Sequence, residues 1–370
     1  MNYEKDNRVV LTLDAGGTNF VFSAIQGNEE IVDPVTLPSN ADDLQKSLQT
    51  IIDGFDAVNK RLKEPAVAVS FAFPGPADYP NGVIGDLVNL PCFRGGVALG
   101  PMLERRFQLP VFINNDGDLF AYGEAIAGFT PWVNDLLRRA KSPKQYHNLL
   151  GLTFGTGFGA GIVRKQELFL GDNSAAAEIW SMRHRFQRES FAEEGVSIRG
   201  VQRAYAARTG SDDWAQWSPK EIYEIAKGSR SGDQQAARDA FAEFARIAGD
   251  AIANADILID GLVVIGGGLI GAHDLFLPTL VEEMNAPMVD YHGKSSHRME
   301  AKAYNLQDKA ELELFLQGAA TQVVIPGYKE TVPYDPLKRI GVGLARLGTS
   351  RAISIGAYAF ALHALDQTGE

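Results

Sequence analysis

The sequence is poor in residues that form covalent or metal cross-links. It contains one cysteine, Cys92, so no disulfide can form within the chain, and its six histidines are scattered. Only His292 and His297 lie close enough in sequence to suggest a shared metal ion, and a single thiolate cannot build a cysteine-rich zinc site. We therefore expect no structural zinc and a cytoplasmic location, where free thiols persist.

Long apolar runs and excess positive charge are also missing. No apolar run approaches the ~18 residues of a membrane-spanning helix, and the first residues are polar, unlike a signal peptide. The formal net charge is -11, whereas proteins that bind nucleic acids usually present a basic face. No Gly-x-Ser-x-Gly turn typical of serine hydrolases occurs. We expect neither a membrane nor a nucleic acid as a partner.

What the chain does contain is three glycine-rich turns, each directly after an apolar run. The turns are Asp14-Ala15-Gly16-Gly17-Thr18-Asn19, Gly155-Thr156-Gly157 and Gly266-Gly267-Gly268. Glycines let consecutive N–H groups converge on a phosphate, and a carboxylate such as Asp14 can hold a hydrated Mg²⁺ beside it. Taken alone, the first turn could equally be an Asp-Gly hairpin. Three turns, two of them similar, indicate two related halves that bind a polyphosphate.

Between these turns, apolar strands alternate with amphipathic helices. Apolar residues recur at helical spacing from 44 to 62, and a buried strand is expected at Val67–Phe73. The helix is predicted to start after Ser39 and Asn40 and to end before Pro65. This alternation predicts an α/β fold with parallel strands.

Three further segments complete the expected organisation. Residues 129–148 carry one apolar helical face and several basic residues; they form either a lid near bound phosphates or, as we favour, a surface helix with a solvated side. Residues 290–339 are largely polar and predict one helix, 312–320. The chain closes on a helix rich in small residues, 352–365, in which Gly356 would permit close packing.

Asp116 is the candidate for a general base. It follows the apolar run Pro110–Ile113 and the pair Asn114 and Asn115, where α/β folds place their ligands. A hydroxyl that attacks a phosphoryl group needs such a carboxylate within hydrogen-bonding reach. The alternative is that Asp116 only caps the helix that follows.

The ordered set of motifs resembles the ROK family of sugar kinases (repressor, open reading frame, kinase), within the actin-like ATPase superfamily. The matching residues are the three glycine turns, Phe73-Pro74-Gly75-Pro76-Ala77-Asp78, Asn89-Leu90-Pro91, Asn115-Asp116 and the last helix. The resemblance implies an ATP-dependent kinase that phosphorylates a hydroxyl of a hexose-type sugar, with Asp116 as its catalytic base.

The resemblance also implies ligands and architecture. Asn89, Asn115, Glu178 and Glu193 would bind the sugar, with Glu194 as the alternative to Glu193. The glycine turns would bind ATP, and Asp14 would bind Mg²⁺. The fold would consist of two actin-like (ribonuclease H-like) lobes with a ligand cleft between them. The N-terminal lobe would comprise residues 1–117 and regain the helix 351–370, and the C-terminal lobe would comprise 118–350. The family is usually dimeric, so a homodimer is expected.

One stretch departs from the family pattern. Glu178-Ile179-Trp180-Ser181 stands where the family has Glu-Ile-Gly-His and a cysteine-rich zinc loop, which leaves the identity of the sugar open. A catalytically impaired sugar-binding or sugar-sensing protein is therefore the alternative to a kinase. It would lack a DNA-binding domain, because only thirteen residues precede Asp14. An acyl-phosphate kinase is disfavoured, because the Asn115-Asp116 pair suits an alcohol.

Overall fold

The predicted alternation of strands and helices is present in the computed structural model, which describes residues 3–369. The strands are β1 (Val9–Ala15), β2 (Asn19–Gln26), β3 (Glu29–Glu30), β4 (Val35–Pro38), β5 (Ala66–Ala72), β6 (Ala77–Asp78), β7 (Val83–Ile84), β8 (Val97–Ala98), β9 (Val111–Asn114), β10 (Leu149–Phe154), β11 (Phe158–Arg164), β12 (Glu167–Leu168), β13 (Leu262–Gly266), β14 (Pro287–Val289), β15 (Ser295–His297), β16 (Lys302–Asn305), β17 (Thr321–Val324), β18 (Thr331–Tyr334) and β19 (Arg339–Leu344). The helices are α1 (Leu44–Asn59), α2 (Leu99–Phe107), α3 (Asp116–Ile126), α4 (Phe129–Arg139), α5 (Ile198–Thr209), α6 (Pro219–Lys227), α7 (Gln234–Ile259), α8 (His273–Met284), α9 (Lys309–Gln317) and α10 (Thr349–Thr368). The α/β class is confirmed.

The chain forms two compact units. The first contains the described residues up to Gly128, Gly161–Ala176 and those from Arg346 onward, and the second contains Phe129–Ala160 and Ala177–Ala345. The predicted lobe boundaries at residues 117 and 351 stay a prediction. Among residues 3–369, no helix is both long and apolar enough to cross a membrane.

The first unit is built on a six-stranded sheet. Its order is β3-β2-β1-β5-β9, with β4 paired to β2. Strands β1, β5 and β9 run parallel, because helices connect them in sequence, whereas the β2 strand returns antiparallel from the first glycine turn. One face is filled by interlocking aromatic rings, among them Phe22, Phe55 and Phe71.

Helix α1 covers this aromatic face, but its start differs from the prediction. Asp43, rather than Ser39 or Asn40, is the N-cap: its side chain accepts a hydrogen bond from the Lys46 N–H. The helix ends at Asn59, six residues before Pro65. The predicted start was wrong because the Ser39 hydroxyl bonds to the Gly17 carbonyl instead of capping α1.

The opposite face of the sheet carries α10, which packs closely on α3. A Cβ on Gly356 would overlap the Leu119 carbonyl, and one on Gly123 would overlap the Ala352 carbonyl. The two backbones can approach only because both positions are glycine. The expectation that Gly356 permits close packing is confirmed.

A buried carboxylate holds the chain as it enters α10. Glu124 is inaccessible to solvent, and its Oε1 accepts hydrogen bonds from the N–H groups of Arg346 (3.0 Å) and Leu347 (2.9 Å). A carboxylate that receives several N–H groups satisfies backbone donors that burial would otherwise leave unpaired. Glu124 therefore anchors the return of the chain to α3.

The second unit has a sheet in which β10, β13, β19 and β16 run parallel side by side. Helix α4 buries Phe129, Val133 and Leu137, while Arg138 and Arg139 are exposed and paired with Asp135. The segment 129–148 thus contains a surface helix, as favoured.

The polar region 290–339 has more structure than its sequence predicted. Helix α9 ends at Gln317 and not at residue 320, and short hairpins, β14–β15 and β17–β18, flank it. The region is anchored by Arg339, which is 1% exposed and lies 2.5 Å from the Asp335 carboxylate. Tyr146 donates a hydrogen bond to the Arg339 carbonyl at 2.6 Å. This buried ion pair has no periodic sequence signature, so the pattern did not predict it.

The close contact of α3 and α10 yields a stability prediction. Gly356→Ala should lower the free energy of unfolding by about 1–3 kcal/mol or more, because the new methyl group meets a backbone carbonyl that cannot move away alone. Urea unfolding measures the change. Ser354→Ala in the same helix, where only a hydroxyl bonded to the Ser350 carbonyl is lost, should stay within about 0.5 kcal/mol of the parent. Equal stability of the two variants would contradict the close packing.

Candidate active site

Parallel pairing brings the predicted acidic residues of the first unit to one edge of its sheet. Asp14 on β1 pairs with Ala72 on β5, and Ala72 pairs with Asn114 on β9. Adjacent strands lie about 4.8 Å apart, so the backbones at Asp14 and Asn114 are about 10 Å apart. Asn115 and Asp116 follow directly on the turn into α3.

The structure separates the two roles that Asp116 could have had. Asn115 is the N-cap of α3, and its Oδ1 accepts a hydrogen bond from the Gly117 N–H at 2.8 Å. Asp116 is the first helical residue, and its Oδ1 shares the same N–H at 2.9 Å. Capping therefore does not depend on Asp116. One of its carboxylate oxygens is left for another partner.

The surroundings shift the protonation equilibrium of this carboxyl. Surrounding protein atoms remove part of its hydration and raise the pKa of Asp116, and the nearby charge of Asp14 raises it further, whereas the Gly117 N–H lowers it. Loss of hydration also raises the pKa of Asp14. Both residues are nevertheless exposed, so the protein crowds the carboxyls without closing them off from a ligand. A raised pKa makes a carboxylate a better proton acceptor.

The first glycine turn lies against the predicted sugar residue Asn89. The Gly16 N–H donates to the Asn19 carbonyl at 3.0 Å, and a Cβ on Gly16 would lie 2.9 Å from that oxygen. A Cβ on Gly17 would lie 3.4 Å from the Asn89 carbonyl. Thr18, Asn19 and Asn89 are exposed. The structure therefore places the predicted phosphate turn beside the predicted sugar loop.

Sequence reasoning missed a residue that supports this turn. Ser39 is 2% exposed; its Oγ donates to the Gly17 carbonyl at 2.6 Å, and its N–H donates to the Thr18 carbonyl at 2.9 Å. A serine next to an asparagine before two acids is a typical N-cap pattern, which hid this long-range role.

The two remaining glycine turns meet in the second unit. Thr153 on β10 pairs with Gly266 on β13, so the turns that follow these strands are neighbours. Gly267 has a φ of +91°, and a Cβ there would overlap the Phe154 backbone, whereas a Cβ on Gly268 would meet no atom within 4 Å. The turn at Gly155, Thr156 and Gly157 is closed by a bond from the Gly155 N–H to the Gly157 carbonyl at 3.1 Å.

Glu193 is bound to this second turn. Its Oε2 accepts a hydrogen bond from the Phe158 N–H at 3.0 Å, and its Oε1 lies 3.3 Å from Arg199. A Cβ on Gly157 would lie 2.5 Å from the same Oε2. Glu194 instead pairs with Arg203. Of the two neighbouring acids, Glu193 is the one that bonds to the end of the glycine turn.

Glu178 lies on the segment that departs from the family pattern. It is exposed, accepts a hydrogen bond from the Trp180 indole, and offers its backbone carbonyl to the Ser181 hydroxyl at 2.7 Å. Trp180 packs edge-on against Phe191 at 5.5 Å between ring centroids. Aromatic packing therefore stabilises this segment, which stands where the resembling family has its zinc loop.

A buried histidine closes the loop between these aromatic residues. His184 is 3% exposed, and its Nδ1 accepts hydrogen bonds from the N–H groups of Phe186 (3.2 Å) and Gln187 (3.1 Å). The backbone N–H of His184 donates a hydrogen bond to the Ser190 carbonyl at 2.9 Å. Burial lowers the pKa of His184, while Glu243 and Glu194 oppose this weakly. In its neutral form, His184 therefore stabilises the loop formed by residues 182–191 through these hydrogen bonds.

Comparison with known protein families identifies the chain. Residues 10–319 match the model of the ROK family. The chain belongs to the ROK family. The resemblance drawn from the glycine turns and the Asn115-Asp116 pair is thereby confirmed.

Relatives named as sugar kinases align with most of this chain. The N-acetyl-D-glucosamine kinase of Vibrio cholerae is 28% identical over 283 residues, which cover 73% of this chain and 86% of the relative. The glucokinase of Thermotoga maritima is 25% identical over 304 residues, which cover 76% and 87% of the two chains.

Two solved structures are similar to this protein over nearly its whole length. The crystal structure of a glucokinase from Parabacteroides distasonis is 54% identical, with a TM-score of 0.90 over 98% of this chain and 99% of that one. A ROK family glucokinase from Streptomyces griseus, in complex with glucose and AMPPNP, is 18% identical with a TM-score of 0.59 over 95% and 98%. The latter shows the fold alone. The predicted actin-like fold is confirmed.

Neighbouring glycines in the third turn provide a matched pair of substitutions. Gly267→Ala should lower the free energy of unfolding by about 1–3 kcal/mol, because its positive φ disfavours a side chain and the methyl group would overlap Phe154. Gly268→Ala should change stability by less than about 0.5 kcal/mol, since its surroundings are open. Thermal and urea unfolding measure both. A Gly267→Ala protein as stable as Gly268→Ala would refute the strained turn.

His184 predicts a pH-dependent stability. The folded chain holds His184 neutral at pH values where the unfolded chain protonates it, so the unfolded state binds more protons below about pH 6.5. The contribution of His184 to the free energy of unfolding should therefore be fully present above that pH and be lost as the pH falls below it. Burial raises the pKa of Asp256 to about 7, and this acid acts in the opposite sense, because the folded chain keeps it protonated where the unfolded chain does not. Unfolding followed between about pH 5 and 8 tests this. The parent should lose stability relative to His184→Gln as the pH falls, whereas its stability relative to His292→Gln, at an exposed loop position, should not change with pH.

Proposed function

We propose that this protein transfers the γ-phosphoryl group of ATP to the primary hydroxyl of glucose. The prediction of an ATP-dependent sugar kinase is confirmed by the relatives, which are glucokinases and N-acetyl-D-glucosamine kinases over most of the chain. Glucose is favoured as the acceptor because the relative at 54% identity is a glucokinase. The observation that carries the mechanism is the register that brings Asp14 and Asn115-Asp116 to one sheet edge.

The residues at this edge fit a bound Mg²⁺. Asp14 is an exposed carboxylate beside the glycine turn, and it lies close enough to Asp116 to raise the pKa of that carboxyl. Mg²⁺ usually binds through one or two carboxylates together with substrate phosphates, so a larger cage of protein ligands is not needed. When bound, Mg²⁺ would neutralise phosphate charge, and Asp14 is the residue that would hold it.

Asp116 is proposed to act as the general base. An alcohol is a poor nucleophile at neutral pH, so a positioned carboxylate must accept its proton as the new O–P bond forms and the bond to the ADP leaving group breaks. The Asp116 oxygen that does not bond to Gly117 is available for that proton. Asn115, which caps α3 through Oδ1, keeps the turn that presents this carboxylate rigid.

The remaining predicted residues orient the substrates in this proposal. Three of them offer groups that hydrogen-bond to sugar hydroxyls: the amides of Asn89, which lies beside Gly17, and of Asn115, and the carboxylate of Glu178. Glu193, which is bonded to the second glycine turn, is proposed as a further sugar ligand. The N–H groups of the turns cradle phosphate oxygens. Holding reactants in this way supplies part of the rate enhancement.

The setting in which the enzyme works also stays a proposal. We infer a cytoplasmic homodimer without structural zinc and without a nucleic-acid partner. The single cysteine supports the location and the absence of zinc, and the acidic net charge of -11 argues against a nucleic-acid partner. The dimer is inferred from the family alone. Sedimentation and elemental analysis of the purified protein would test the dimer and the metal content.

The assignment of Asp116 predicts a large kinetic effect. The parent enzyme should phosphorylate glucose with ATP, and Asp116→Asn should lower kcat by ~10²–10⁴, the usual cost of losing a general base. Coupled ADP-release kinetics measure both. The helix should remain capped because Asn115 is unchanged, and ATP should bind as before.

Two comparisons make this test decisive. Asp33→Asn changes an exposed acid elsewhere in the first unit and should leave the rate unchanged. Glucose should be turned over faster than N-acetyl-D-glucosamine or fructose. A folded Asp116→Asn enzyme with the parent rate would refute the base, and a folded parent that phosphorylates none of these sugars would favour the catalytically impaired sugar-binding protein.

A further inference from the structure

The short segment between β4 and α1, residues 39–41, makes hydrogen bonds to both substrate loops of the first unit. On one side, Ser39 bonds to Gly17 and Thr18 of the first glycine turn. On the other, the Ala41 carbonyl accepts a hydrogen bond from the Cys92 N–H at 2.9 Å, next to the loop that carries Asn89. No residue of this segment takes part in the proposed phosphoryl transfer.

The segment is itself held rigidly. Asn40 adopts a φ of +52°, and its Nδ2 donates to the Thr50 hydroxyl on α1 at 2.8 Å and to the Pro38 carbonyl at 3.2 Å. The Asn40 carbonyl accepts a hydrogen bond from the N–H of Asp43, the α1 N-cap. The segment is thus fixed to a helix that packs on the aromatic core, and it can impose its position on the loops.

The glycine turn needs such support because glycines restrict their own backbone little. Ser39 donates hydrogen bonds to two consecutive carbonyls of that turn, from its hydroxyl to Gly17 and from its backbone N–H to Thr18. Since Ser39 is 2% exposed, water cannot readily replace its hydroxyl. Removing the hydroxyl would leave the Gly17 carbonyl without the buried partner that fixes its direction.

We propose that Ser39 is a positioning residue that sets the phosphate turn relative to the sugar loop. This inference rests on the proposed function for the roles of the two loops. Ser39 acts through Gly17 and Thr18 and does not touch a substrate itself. Loss of its hydroxyl should weaken ATP binding first, because that hydroxyl bonds to the phosphate turn, and sugar binding less, because the link to the sugar loop runs through Ala41.

The test compares Ser39→Ala with a matched serine. Ser39→Ala should raise the Kd for Mg-ATP, measured by calorimetry, about tenfold, the effect of one lost buried hydrogen bond. The KM for glucose should rise less, and kcat should change little. Ser70→Ala is the control: Ser70 is buried in β5 of the same unit, and its hydroxyl has no hydrogen-bond partner among the described residues. Its ATP affinity should equal that of the parent.

Further readouts separate positioning from general stability. Hydrogen exchange of peptides covering residues 15–19 should accelerate in Ser39→Ala, while peptides of β9 stay protected. Ser39→Cys, which keeps the size but weakens the donor, should give an intermediate Kd and replaces Ser39→Ala if that variant fails to fold. Because calorimetry needs no turnover, an inactive parent would refute the proposed function without affecting this test. A folded Ser39→Ala with the parent Kd and parent exchange would overturn the inference.

Discussion

The parallel hydrogen-bonding register of β1, β5 and β9 is the constraint on which the candidate site depends. Because Asp14 pairs with Ala72 and Ala72 pairs with Asn114, residues more than a hundred positions apart are brought to one edge. A slip of one residue would turn the Asp14 side chain to the other face of the sheet. The aromatic packing beneath α1 prevents such a slip, so the core of the first unit and its chemistry are determined together.

Close approach of backbones is the second recurrent constraint, and it explains why glycine stands where it does. At Gly356 the neighbour is the backbone of α3, and at Gly267 it is the backbone of Phe154. At Gly268 a Cβ would meet no atom within 4 Å, so close packing does not require glycine there. Glycines in one turn therefore differ in role, and only the structure distinguishes them.

Local patterns predicted what local physics determines. The apolar run before Asp14, the strand expected at Val67–Phe73 and the helical spacing from 44 to 62 all depend on neighbours in sequence, and the structure contains β1, β5 and α1 at these places. Ser39 was misassigned as a helix start because its partners, Gly17 and Thr18, are about twenty residues away. The buried Arg339–Asp335 pair was missed because burial of a charge follows from tertiary packing and not from composition.

The departure from the family pattern at Ser181 separates two parts of the site. The carboxylates and glycine turns that we propose to serve phosphoryl transfer lie at the ends of strands, which are rigid. The segment 178–197 is a loop, and loops of this kind vary while the scaffold stays the same. Here the acceptor role of His184 toward two backbone N–H groups and the contact between Trp180 and Phe191 supply the order that metal ligands would otherwise impose. The segment is therefore well defined without those cysteines, and their absence is compatible with the kinase assignment.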